Sequence, residues 1–159
     1  KKIKDFNVFE HLQNLKFLDV SFVNSRLDFS KIGYLKRLEE LIISDNTAKI
    51  ELSFLQNLIC LKKLNLDYCK NITDISAFEY LTLLEELRMN NVPKITDYIP
   101  IGKLIHLKSI VMNKATKLED ISFLHNLKEL EYVELFGNRK IKDYSPIEHV
   151  KEVKYDGRR

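Results

Sequence analysis

The residues able to do chemistry in this chain recur in columns and do not converge on one cluster. An acid returns every 23 residues, as Asp5, Asp28, Glu51, Asp74, Asp97, Asp120 and Asp143. Stacked carboxylates are oxygen ligands for a divalent cation. An Asp two residues ahead of a Ser or Asn also accepts local backbone N–H groups, as in Asx turns. We adopt the turn reading, with Lys2, Lys94, Lys117 and Lys140 nearby to offset repulsion. A second column alternates in sign without exception, through Lys16, Glu39, Lys62, Glu85, Lys108, Glu131 and Lys151. On neighbouring strands opposite charges attract and like charges repel. The column therefore reads as a ladder that fixes stacking order, the alternative being an ionic docking strip. His11, His106, His125 and His149 fall mostly beside apolar positions. None shares a column with a Ser or Cys on the concave face, and neither zinc-ligand spacing nor a phosphate-binding glycine loop is present. The expectation is no catalytic residue, metal site, cofactor or small-molecule substrate, and a chain that is not an enzyme.

What positions these columns is a repeated phrase, clearest in Cys60-Leu-Lys-Lys-Leu64-Asn-Leu66-Asp-Tyr-Cys69. Its central apolar residue recurs at Leu18, Leu41, Leu64, Leu87, Ile110 and Val133, each step being 23 residues, and again at Val153 after 20. Apolar partners lie three residues before and two after. Between the phrases the apolar residues have period three, as in Ile72, Ile75, Phe78 and Leu81. One such unit cannot bury its own apolar residues, but neighbours stacked on both sides can. The predicted fold is an α/β solenoid: a right-handed arc of about six and a half repeats. About seven short strands line a parallel concave sheet, and short helices or 3₁₀ turns lie on the convex side. Residues 1–159 form a single domain.

Helix signals mark the return segments. Ser30, Ser53, Ser76, Ser122 and Ser145 share one repeat position, which Asn7 matches, and are predicted N-caps. Glu10, Gln56, Glu79 and Glu148, three residues on, would complete capping boxes. Pro100 and Pro146 suit a first helical turn.

The stretch Asn71-Ile-Thr-Asp-Ile-Ser-Ala-Phe-Glu-Tyr-Leu-Thr-Leu-Leu-Glu-Glu-Leu87 resembles the leucine-rich repeat of the bacterial internalin-like type. Glu119-Asp-Ile-Ser-Phe-Leu and Asp143-Tyr-Ser-Pro-Ile resemble it as well. The resemblance implies protein–protein recognition on the concave face. The family places Asn, or sometimes Cys, at the turn that closes each strand. Asn46, Cys69 and Asn138 match, while Val23, Val92 and Ala115 interrupt that polar ladder.

The concave positions flank the core leucines. Val111, Tyr132 and Phe136 fall on adjacent strands, Gly137 beside them leaves room for an incoming group, and Arg88 shares a column with Val111. Aromatic residues with an Arg neighbour match the composition of interface hot spots. Tyr68 and Ile42 complete the candidate partner-binding set, and Phe17, Phe22 and Ile42 form a second patch that is assigned no partner. The partner is expected to be a protein of unknown identity. Interleaved charges and a net charge of only +3 argue against nucleic acid. No apolar run approaches the ~20 residues of a membrane span. Cys60 and Cys69 read as thiols, which favours a reducing compartment such as the cytoplasm; a secreted or surface location follows if an N-terminal leader is missing. Phe6 and Phe9, with nothing upstream to cover them, suggest the C-terminal part of a longer chain. The alternative function is targeting or substrate recognition within a larger secreted effector or enzyme.

Overall fold

The computed structural model describes residues 5–23 and 27–157. Seven three-residue strands form one parallel sheet in chain order: β1 (Phe17–Asp19), β2 (Glu40–Ile42), β3 (Lys63–Asn65), β4 (Glu86–Arg88), β5 (Ser109–Val111), β6 (Tyr132–Glu134) and β7 (Glu152–Lys154). The pairing register follows the repeat, with Leu18 opposite Leu41, Leu41 opposite Leu64 and so on to Val133 opposite Val153. Because side chains alternate across a strand, this register sends one apolar residue per strand inward and the two beside it outward. Leu41, Leu64, Leu87 and Ile110 are completely or almost completely buried.

The return segments are short 3₁₀ helices, such as Ser76–Tyr80 and Ile99–Lys103. A 3₁₀ helix has three residues per turn, so side chains at i and i+3 share a face. The period-three pattern is that geometry. The N–H of Phe78 bonds the carbonyl of Ile75, Leu81 that of Phe78 and Leu84 that of Leu81, and all four side chains are buried. Tyr98 takes the place of Ile75 one repeat on. Its ring stacks near Phe123, its hydroxyl is buried without a partner, and burial pushes the phenol up to about 12.

The caps differ from expectation. The acid column supplies them: Asp5, Asp28, Asp74, Asp97, Asp120 and Asp143 each accept the backbone N–H two residues on, at 2.7–3.1 Å. The serines are donors in these bonds, and the hydroxyls of Ser30, Ser122 and Ser145 donate to the same carboxylates. Ser145's N–H and hydroxyl hold the Asp143 carboxyl below its usual range. Glu51, longer by a methylene, makes no cap and pairs with Lys49 instead. Among the described residues no capping box forms; Glu10 pairs with Lys31 at 3.2 Å.

Two polar ladders join successive turns. Buried Asn46 donates to the carbonyls of Val20 and Ile43, Asn138 to those of Met112 and Leu135, and the Cys69 thiol to that of Ile43. Burial pushes that thiol up to about 11. Val92 and Ala115 interrupt this ladder, and a second one spans the gap on the concave side. Asp67 accepts the N–H of Asn90, Asn90 that of Asn113 and Asn113 that of Phe136. The alternating-charge column also forms: Glu39 lies 2.5 Å from Lys16 and 3.2 Å from Lys62, Glu85 pairs with Lys108, and Glu131 with Lys151.

Phe6 and Phe9 are buried, stacked at 4.8 Å, with Phe29 edge-on to Phe6. At the other end Tyr144, Val150 and Val153 line an open hollow of about 480 Å³.

Two outcomes follow. Leu64→Ala removes a side chain buried from both sides and lowers stability by about 2–5 kcal/mol, whereas Leu18→Ala, on the half-buried first strand, costs less; urea unfolding of both variants checks the order. The carboxyl of Glu39 is held below its ordinary value by hydrogen bonds from Lys16 and Lys62. A depressed folded-state pKa contributes stability above the unfolded value, which is lost as pH falls through the folded one. Urea midpoints of the parent and Glu39→Gln therefore differ at neutral pH and converge below the usual glutamate range.

Candidate protein-binding face

The concave surface is built from the outward residues of each strand and from the residues just beyond it. At the strand exit every repeat turns through a left-handed backbone. Phe22, Asp45, Tyr68, Asn91 and Lys114 have φ between 54° and 62°, and Gly137 has 77°. This region costs an ordinary L residue roughly 1–2 kcal/mol, while Asn and Asp visit it more readily. Phe22, Tyr68 and Lys114 therefore occupy positions where their side chains gain nothing locally. The residue before each exit turn is tied to the next strand: its carbonyl accepts the exit N–H of the preceding repeat, as when Tyr68 bonds Asn90 and Asn91 bonds Asn113.

The six candidate residues all lie on this face, but they do not form one open patch. Val111, expected to be exposed, is 4% exposed. It sits in register between Arg88 and Glu134, longer side chains on either side. Arg88 is turned to Asp67, with Nε and Nη2 donating to one carboxylate oxygen at 3.2 and 3.0 Å. The Tyr132 hydroxyl donates to Glu134, and the other Glu134 oxygen accepts from Asn113. These two bonds, the tyrosine's first, hold the Glu134 carboxyl low. The Lys154 ammonium lies 5.0 Å from the centre of the Tyr132 ring. Nor is the space beside Gly137 vacant, since a Cβ there would meet Lys114 Cγ at 2.9 Å. The C-terminal half of the face is thus largely satisfied within the chain, and Phe136 is its exposed apolar member.

The N-terminal half is the open one. Phe22 is 78% exposed, Phe17 51% and Tyr68 46%, with Ile42 half-buried among them. Beside Ile42 a shallow hollow of about 80 Å³ is lined by Glu40, Lys63, Glu86 and Arg88. The outward residues of β1, β2 and their exits include Asp19, Glu40 and Asp45 and no base. Among the described residues the carboxylates of Glu40 and Asp45 make no ion pair or hydrogen bond, although the backbone N–H of each is bonded to a neighbouring repeat. The patch of Phe17, Phe22 and Ile42 was visible in the sequence, but the left-handed exit column was not. A five-fold recurrence of non-glycine residues at one turn position carries no local signature.

Among the described residues no three His, Cys, Asp or Glu side chains gather to hold a metal ion. His106 faces Glu129, and His149 meets the carbonyl of Leu127. None of the described helices is long and apolar enough to cross a membrane.

No protein-family model matches the chain, and no curated protein does. Solved structures do. An internalin, InlF, from Listeria monocytogenes superposes with a TM-score of 0.74 at 24% identity, over 92% of this chain and 49% of the internalin. Internalin C2 from the same organism gives 0.66 at 23% identity, over 98% and 77%. The leucine-rich repeat domain of the type III effector XopL gives 0.71 at 19% identity, over 90% and 52%. This chain spans about half the length of the first and third of these structures. With its seven parallel strands, 3₁₀ returns and shared register, the chain has the leucine-rich repeat fold of the internalins.

Proposed function

We propose that this chain is a non-enzymatic protein-binding module that engages a protein partner on its concave face. The observation that carries the reading is the placement of Phe22, Tyr68 and Phe136. All three remain exposed along the strand-exit edge although every inner column is filled. Scattered exposed apolar residues are ordinary, but two of these stand at left-handed positions that a Gly or Asn would fill at lower cost. Backbone strain of this kind is a pointer to function. Ile42 and Phe17 extend the surface towards the first strand; Arg88, Tyr132 and Val111 shape it from behind. A second reading, recognition within a larger effector, draws on the likeness to the repeat domain of a type III effector.

The test is affinity capture from lysates of the source organism and of candidate host cells, with three baits. The first is the parent. The second carries Phe22→Asn, Tyr68→Asn and Phe136→Ser. The third carries Ile59→Ser and Ile99→Ser, at positions 59% and 69% exposed outside the concave columns. Val111 is left intact, because a charge there would be buried and would unfold the bait. A protein held by the first and third baits and lost by the second is the expected result. Equal retention by all three, or loss from the third alone, contradicts the concave assignment.

A further inference from the structure

The strand-exit column begins aromatic, acid, aromatic: Phe22, Asp45, Tyr68. These residues stand on three successive repeats, hydrogen-bonded in register through Phe22 N–H to Ser44 and Asp45 N–H to Asp67. All three share one backbone conformation, with φ of 56°, 57° and 62°, so their Cα–Cβ bonds leave the chain in the same way. Neighbouring strands lie about 4.8 Å apart. A cation seated over Asp45 would therefore lie about that far from the column on each side, within the ~6 Å over which an aromatic ring attracts a cation. Phe22, Tyr68 and Asp45 are exposed, and among the described residues the Asp45 carboxylate makes no ion pair or hydrogen bond.

The same face already contains a filled arrangement of this kind. At its C-terminal end Lys154 lies over the Tyr132 ring and pairs with the Glu152 carboxylate at 2.9 Å, while Glu134 takes the tyrosine's hydroxyl. There the chain supplies its own cation. In the outward columns of β1 and β2 it supplies none.

We propose that Phe22, Asp45 and Tyr68 form a receptor for one lysine or arginine side chain of a protein partner. The inference rests on the concave-face reading and names the chemistry of the group that face receives. Asp45 provides the countercharge, and the two rings provide stacking, cation–π contact and apolar surface for the stem of the incoming residue.

The test uses a displayed library of random dodecapeptides selected against the immobilised 159-residue chain. Selected peptides are expected to be enriched in Lys or Arg. Changing the key basic residue of a selected peptide to Gln should weaken binding about tenfold in the parent and hardly at all in Asp45→Asn. Phe22→Asn should weaken binding to a similar degree while raising the urea midpoint, because Asn tolerates the left-handed backbone better than Phe. A purely structural role for Phe22 cannot give both. Failure to select basic peptides overturns the receptor. So do peptides that lose affinity with Phe136→Ser but not with Phe22→Asn, Asp45→Asn or Tyr68→Asn, although in that case the concave-face reading stands. Peptides indifferent to every concave substitution overturn both.

Discussion

Everything in this molecule depends on one register. A three-residue strand and a short 3₁₀ return have little stability alone, since an isolated repeat cannot bury its apolar side chains. They persist because Leu41, Leu64, Leu87 and Ile110 fall opposite one another and seal each other from water. The same register delivers the polar residues. It places each ladder glutamate beside a ladder lysine, and each side chain of the Asp67–Asn90–Asn113 series against the next N–H. A slip of one residue would turn every core leucine outward. A slip of one repeat would set Lys against Lys.

Because the core is the same in every repeat, whatever distinguishes this protein lies on the outward columns. Those columns are not uniform. From β4 to β7 the polar and aromatic side chains are engaged with each other: Arg88 with Asp67, Tyr132 with Glu134, Lys154 over Tyr132. Around β1 and β2, and at Tyr68 beyond β3, the aromatic residues are exposed, and the outward carboxylates of Asp19, Glu40 and Asp45 make no ion pair among the described residues. In the proposed function the internally satisfied half would hold the shape of the surface and the open, acidic and aromatic half would offer unmet interactions to a partner.

The repeat period, the strand positions and the filled core columns were readable in the residues, since periodicity reports burial directly. The sign-alternating ladder and the turn role of the acid column were readable too, because each depends only on neighbouring repeats. Val111 was misjudged. Its outward register was right, but coverage by Arg88 and Glu134 depends on how long side chains lie across a curved sheet. The capping serines were assigned as donors' partners when Asp two residues earlier takes that part, because the helices are 3₁₀ and not α. The Asn90 and Asn113 ladder looked like ordinary surface, since nothing in residue type separates a solvated Asn from one holding the next strand. Phe6 and Phe9 read as uncovered, whereas in the structure both are buried, packed on each other and on Phe29.

The register is also the most direct point at which to challenge the account. Deleting residues 64–86 removes one whole repeat of 23 residues and joins Lys63 to Leu87, restoring the phrase that Lys63 and Leu64 made; it sets Lys62 beside Lys108, an exposed like-charge contact that costs at most about 1 kcal/mol and leaves the core register intact. Deleting residues 64–85 leaves one residue too many. Circular dichroism with urea unfolding compares the two. The account predicts a parent-like spectrum and a cooperative transition for the first, and loss of cooperativity for the second. Equal behaviour of the two deletions, or collapse of the first, would contradict a fold held together by a single shared register.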